Sequence, residues 1–493
     1  MDQIPLFVVA AYAVGVTVVG AWFARRTTTG RQWTVAGGGL GAGMLAVGLA
    51  GTRIGGAGTY GVAGNVITGG VWNLWWYGAA TFAALATVGL FFAHPYRRLR
   101  LQTVGEIFWL RFGSRRGQVV TSLSVQTLYL AVNVIEPYVI GAILRSLTGI
   151  SMAWGVTIGA VVLVSYTALG GLWGAAATNL IHSIVIIAGF LIVAVLGVRH
   201  LGGWNAMSQA IDDRLLAAGT DAASWWSPTG AGWMPIAGMI FAAAIHTPAA
   251  SIYANFSTAA RSSRLLIPGF LLGGLLAGCM PLLAGLIGMQ ALARFGSDGG
   301  LSGYSNITAL AVEINPWLGG LALAAVLAAV ISSGGPVLLS SATMFVRDWL
   351  PASRHWQPDR KLRAYRITTV VYGTLSAALA WIAAREGLSL LNLLLVGYAM
   401  VVPPGIAIAF LLYWPRTTEA GAFWGTASGY VAGVAWYLLF YQSTGIDPSH
   451  LTTVVPLLVI PLLSLLTRDE PVLLERFHVL LAGGEHPDAP SRG

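Results

Sequence analysis

Ala50-Gly51-Thr52-Arg53-Ile54-Gly55-Gly56-Ala57-Gly58 sets a guanidinium among four glycines in the middle of an apolar run. A charged side chain in hydrocarbon costs several kcal/mol unless it is paired or faces water, so Arg53 marks a functional site. The glycines let a helix unwind there and bring backbone groups close to a ligand.

Composition fixes the class around this break. Of 493 residues, 56% are hydrophobic and 9% charged, against roughly 25% charged in a soluble domain. The chain reads as an all-α polytopic membrane protein. Its one cysteine, Cys279, rules out a disulfide framework or a cysteine metal site. Apolar segments long enough for about 30 Å of hydrocarbon fall at 4–24, 38–62, 68–93, 118–147, 151–170, 174–198, 232–256, 264–290, 317–347, 364–384, 389–413, 420–441 and 451–467, which makes thirteen. The first apolar run has no basic region ahead of it. It is therefore expected to be an uncleaved span that starts outside, not a signal peptide. On that orientation the inner loops hold twenty-one of the 27 Lys and Arg residues, including Arg25, Arg26 and Arg492, and the outer loops hold five. So strong a bias supports the span count and puts the C-terminus in the cytoplasm of a cell-membrane protein. The net charge of +9 is then topological and implies no nucleic-acid partner.

A second span breaks near His246-Thr247-Pro248, where proline removes a backbone donor and clashes with the preceding turn. The two breaks stand about 193 residues apart, and that offset also carries the long fourth span approximately onto the long ninth. Paired broken helices at corresponding places in two halves point to an inverted-repeat transporter with its site at the bilayer midplane. The expected division is an extra N-terminal span and inner loop at 1–37, repeats at 38–200 and 232–415, an outer loop at 201–231, two extra spans at 416–467 and a cytoplasmic tail at 468–493.

Three stretches resemble the sodium:solute symporter family. Tyr166-Thr167-Ala168-Leu169-Gly170-Gly171-Leu172-Trp173-Gly174-Ala175 through Thr178, Asn179 and His182 is similar to its Y-T-x-x-G-G-[LM]-W junction, with Asn179 and His182 in place of the usual aspartate and glutamine. Leu327 to Ser333, through Ser340-Ser341-Ala342-Thr343 to Arg347-Asp348, resembles its A-A-[IV]-M-S-[ST] helix. Gly61-Val62-Ala63-Gly64 to Gly70 and Trp75 is similar to the segment after its first broken helix. The resemblance covers residues 4–467 and implies a LeuT-like five-plus-five inverted repeat with extra helices at both ends.

Ala329, Ser332 and Ser333 stand at i, i+3 and i+4, on one helix face. Two hydroxyls and a carbonyl suit a small hard cation, although serines also serve simply to let membrane helices approach. The resemblance implies that these three form half of a Na+ site and that the carbonyls of Gly51 and Ile54 form the rest. Arg53 lies between those two carbonyl donors. It can face the substrate and attract a carboxylate, replace the cation, or sit in a structural ion pair.

Glu136 is the one acidic residue placed deep in a span. A pair with Arg53 is plausible because a lone buried charge is expensive. Paired, it would either release a proton when substrate displaces it or hold two helices in register. Asn133 and Tyr129 share part of its face. With Gly55 and Gly56 in the first break and His246 and Thr247 in the second, they complete the candidate solute contacts, although an intramembrane histidine also serves as an interhelical hydrogen bonder.

These residues indicate a secondary active transporter that imports a small polar solute with a coupling cation, Na+. A carboxylate-bearing anion or zwitterion is favoured, since a guanidinium matches carboxylate geometry. The alternative is a proton-coupled or uncoupled carrier in which Arg53 replaces sodium. A membrane enzyme would need clustered catalytic groups, which the sequence does not show, and a solute sensor would be expected to carry a fused signalling domain.

Overall fold

With no water in the bilayer core, each spanning segment must satisfy its own backbone, which a helix does. The computed structural model describes residues 3–24, 28–296, 309–386, 388, 390–444, 447–469 and 471–483, and Arg25, Arg26 and Arg492 of the basic tally lie outside the described residues. Among the described residues the protein is all-helical, with one isolated bridge between Leu40 and Ala260 and no strand.

The centre of the molecule is the helix Pro316–Met344, in which every residue from Leu323 to Met344 is buried. A helix apolar on all sides belongs in a core. It packs against Arg115–Thr148 and Met152–His200, and both broken helices lie beside it.

The first broken helix runs Ala42–Arg53, stops at Ile54 in an extended conformation (φ −86°, ψ 90°), and resumes through a wide turn at Ala57–Gly61 into Val62–Gly69. The second runs Trp233–His246, tightens at Thr247–Ala249, extends at Ala250 (φ −72°, ψ 107°) and continues as Ser251–Ala259, with a bend of 62°. Pro248 sits in that tight turn, where its missing N–H interrupts the helical ladder. Pro336 behaves differently, since the Pro316–Met344 helix continues through it.

The number of spans differs from the sequence count. Eight helices among the described residues are long and apolar enough to cross a membrane, or nine with the bent pair taken as one span. Four of the thirteen expected spans account for the difference. The segments at 151–170 and 174–198 form two helices that meet at a kink at Gly171 (φ 57°, ψ −159°), so Met152–His200 counts once among the eight. The first broken helix divides into pieces too short to span alone. Ile4–Ala24 and Glu419–Leu439 are helical but outside the eight.

At the arginine-rich end, polar contacts fasten helix ends together. Arg347 pairs with Glu106, and the Thr103 hydroxyl and the Gln118 side-chain amide both donate to Asp348, each at 2.7 Å. The buried Arg111 guanidinium donates to the carbonyls of Leu411, Trp414, Pro415 and Thr417, and so caps the end of Leu390–Tyr413.

Higher up, Trp72–Thr87 crosses Leu266–Phe295 at Gly78 and Gly278. A Cβ at Gly78 would stand 2.4 Å from the Gly278 carbonyl oxygen, and one at Gly278 would stand 2.9 Å from that of Gly78. Small residues at such crossings let membrane helices approach closely. Gly78→Val is expected to push these helices apart at a cost of about 1–3 kcal/mol. Purified protein should then show a lower melting temperature with unchanged helical circular dichroism.

Candidate functional site

The Ala42–Arg53 helix ends in the middle of the molecule, and a helix terminus leaves its last carbonyls without intrahelical partners. The Ile54 amide still reaches back to the Ala50 carbonyl at 2.9 Å, which leaves the carbonyls beyond it to other donors. Ser332 on the central helix meets them: its hydroxyl lies 2.9 Å from Gly51 O, 3.4 Å from Ile54 O and 2.9 Å from Ala329 O. The Ser333 hydroxyl lies 3.1 Å from Ala329 O and 2.5 Å from Glu136 Oε1.

A hydroxyl has one proton to give. Two serine protons therefore face three carbonyl oxygens and a carboxylate, and acceptors outnumber donors. That donor set suits a small hard cation, which takes oxygen ligands and carries no lone pairs of its own. The fold thus brings together all five residues that the sequence singles out for a cation: Gly51, Ile54, Ala329, Ser332 and Ser333.

Glu136 reaches this cluster from Arg115–Thr148 and is buried. Gly55 makes room for it, because a Cβ there would stand 2.8 Å from both Glu136 Oε1 and Ser333 Oγ. Over Gly56 the corresponding distance to Glu136 Oε2 is 3.3 Å. Glu136 does not pair with Arg53: among the described residues no ion pair joins them, and the carboxylate goes to Ser333 and the glycine break instead.

Beside the cluster lies a small cavity of about 70 Å³. Arg53, Gly55, Tyr129, Glu136, His246 and Ser333 line it. Arg53 is half-buried; its guanidinium lies 6.0 Å from the Tyr398 ring centre, with Tyr253 in hydrogen-bonding reach and Tyr77 near. The His246 ring stacks on Tyr398 at 4.2 Å between centroids, and its Nδ1 lies 2.6 Å from the Ala242 carbonyl oxygen.

Three candidate solute contacts lie outside the lining. Asn133 donates to the Ser341 hydroxyl at 3.3 Å, Thr247 donates to the Ala243 carbonyl at 2.6 Å, and Gly56 lies under Glu136 and Val139. Tyr129 lines the cavity but its hydroxyl accepts the Ile252 amide at 2.8 Å, which ties it to the start of Ser251–Ala259. Sequence reasoning missed Tyr77, Tyr253 and Tyr398. Tyr253 follows His246 across the second break and could have been included with it. Tyr77 and Tyr398 sit on spans with no local mark, and only long-range packing brings them to Arg53.

Two broken helices around an oxygen-rich cluster and a small cavity mark a LeuT-like membrane transporter. The chain belongs to the sodium:solute symporter family, whose sequence model matches residues 33–429. It is 25% identical to sodium/glucose cotransporter 1 of Oryctolagus cuniculus over 83% of this chain and 66% of that protein, so it spans just under two thirds of that relative's length. It is 23% identical to the uncharacterized symporter YwcA of Bacillus subtilis (strain 168), over 85% of this chain and 83% of that one. Among solved structures it is similar to a substrate-bound, outward-open Na+-coupled sialic acid symporter, with a TM-score of 0.80 at 19% identity over 95% of this chain and 99% of that one.

The glycine break yields a paired prediction. Gly55→Ala should separate the first broken helix from Ser333 and Glu136 and abolish stabilisation of the purified protein by Na+. Gly58→Ala, whose Cβ would meet nothing nearer than 3.8 Å, should be tolerated. Melting curves in NaCl and KCl check both.

Proposed function

We propose that the protein is a Na+-coupled secondary active importer of a small polar solute bearing a carboxylate. The observation that carries this reading is the convergence of Gly51 O, Ile54 O, Ala329 O, Ser332 Oγ and Ser333 Oγ beside a cavity that contains Arg53. Na+ would be held by those oxygens and the solute by the adjoining cavity. Bound Na+ would bridge the first broken helix to the central helix and so favour the arrangement that presents Arg53 to solute. That is coupling in thermodynamic form: each ligand strengthens the other by the same factor.

Arg53 supports the carboxylate assignment because its surroundings leave it available. Tyrosine rings flank it and, among the described residues, no carboxylate pairs with it, so a solute carboxylate would supply the missing counter-charge with two hydrogen bonds in fork geometry. The carbonyl oxygens proposed for the cation have other partners, the hydroxyls of Ser332 and Ser333. On this reading Arg53 serves the solute and does not stand in for the cation, which favours Na+ coupling over an uncoupled carrier. The basic helix ends, including Arg97, Arg111 and Arg347, would face the cytoplasm on the topology that the arginine bias predicts.

A melting-temperature screen of monocarboxylates, amino acids and hexoses, each in Na+ or K+, tests the assignment by mass action. A carboxylate should stabilise the wild type more in Na+ than in K+. Arg53→Gln should weaken that solute by about tenfold or more, the cost of removing a charged hydrogen-bonding partner. A hexose hit that Arg53→Gln leaves unchanged would overturn the carboxylate class. Ser332→Ala should remove the preference for Na+, and in proteoliposomes it should abolish accumulation driven by a Na+ gradient.

A further inference from the structure

We infer that Glu136 is the anionic member of the cation site: it takes the Ser333 hydroxyl proton and so turns that oxygen's lone pairs toward Na+. This rests on the Na+ reading above and assigns to the site a residue from a third helix, Arg115–Thr148.

The geometry begins at Ser333. Its hydroxyl has three acceptors in reach, Glu136 Oε1 at 2.5 Å, Ala329 O at 3.1 Å and Val330 O at 3.2 Å. The Glu136 oxygen is the nearest acceptor, and in the anionic form assigned to it here its hydrogen bond is charge-assisted, roughly twice as strong as a neutral one. The proton therefore goes to Glu136. With that proton turned away, the remaining lone pairs of Ser333 Oγ face the side where Ala329 O, Ser332 Oγ and the Gly51 carbonyl gather. Were the proton on Ala329 O instead, it would point into the place a cation must occupy. A partner one bond removed from the ion often fixes a ligand's orientation in this way.

Charge gives a second, independent reason. Apart from Glu136, every proposed ligand is a neutral oxygen, and Arg53 lies on the same broken helix between two of them. Among the residues that line the cavity, Arg53 and Glu136 carry the formal charges. Without the carboxylate, Na+ would enter a desolvated region that already holds an uncompensated guanidinium. With it, the charge of the ion is matched on arrival.

The fold also spends specific features on placing this carboxylate. Gly55 and Gly56 are the residues over which it lies, and any Cβ at Gly55 would collide with both Glu136 Oε1 and Ser333 Oγ. Gly334 adds a third close approach, since a Cβ there would stand 3.2 Å from Glu136 Cγ. A carboxylate that merely fastened two helices would not need to sit against the broken strand of backbone whose carbonyls face the ion.

The test uses purified full-length protein and NaCl at constant ionic strength with KCl, with the Na+ midpoint read from thermal stabilisation. Glu136→Gln keeps an oxygen that can accept from Ser333 and removes only the charge. It should raise the Na+ midpoint by about tenfold to a hundredfold while leaving the melting temperature in KCl close to that of wild type. Glu136→Asp keeps the charge but withdraws it from Ser333. It should fall between the two, a partial rescue that also carries the test if Glu136→Gln does not fold. A wild-type Na+ midpoint in Glu136→Gln or in Glu136→Asp would overturn the assignment. Ser332→Ala separates the two levels of inference. If it abolishes the Na+ response while Glu136→Gln preserves it, the Na+ site stands and the role of Glu136 fails. If wild type shows no Na+ response, both fail together.

Discussion

The carbonyl groups that end the Ala42–Arg53 helix have to be satisfied inside a membrane protein, far from bulk water. Each unsatisfied group there costs several kcal/mol, and the Ser332 hydroxyl meets Gly51 O and Ala329 O at 2.9 Å. This one contact ties the first broken helix to the buried central helix. It also leaves a problem for the rest of the site, because one proton cannot satisfy both carbonyls of the break, Gly51 O and Ile54 O. A cation can. The same irregular backbone that would be a defect in a lipid-facing helix is therefore tolerated where it lines a site.

The two deep charges are handled separately. Glu136 turns to Ser333 and the glycine break, whereas Arg53 turns to Tyr253, Tyr398 and Tyr77. A buried Arg–Glu pair would have neutralised both groups at a high desolvation cost and left neither free to act. Keeping them apart sets the carboxyl group against Ser333 and the guanidinium among the tyrosines, both on the wall of one cavity. That separation makes simultaneous binding of Na+ and a carboxylate electrostatically self-consistent.

Much of the fold was legible because its signals are local. Apolar length, arginine placement and the Gly51–Gly58 and Pro248 breaks are each read within a few residues. The convergence of Gly51 and Ile54 on Ser332 was legible too, although the resemblance and not the spacing brought them together. Other features escaped for physical reasons. Gly171 joins the expected spans 151–170 and 174–198 directly at a kink with positive φ, with no loop between them. Pairing Arg53 with Glu136 was a natural expectation from charge alone, yet a glycine at 55 allows the carboxylate to go elsewhere. Tyr77 and Tyr398 come from spans whose sequences carry no mark of function, and only packing places them around Arg53.

The position of Gly55 shows why coupling here is structural before it is electrostatic. The contact it permits joins three elements at once: the broken helix, the central helix through Ser333, and Arg115–Thr148 through Glu136. Any movement that separates the broken helix from Ser333 takes the Gly51 and Ile54 carbonyls out of reach of the cation. It also shifts Arg53, two residues from Gly55, relative to the tyrosines of the cavity. A carrier must avoid moving with only one ligand aboard, and a shared hinge does this with no separate signal. On the proposed reading, a cation in the oxygen cluster would fix the backbone from which Arg53 projects, and the energy of its binding would reach the solute site through the chain itself.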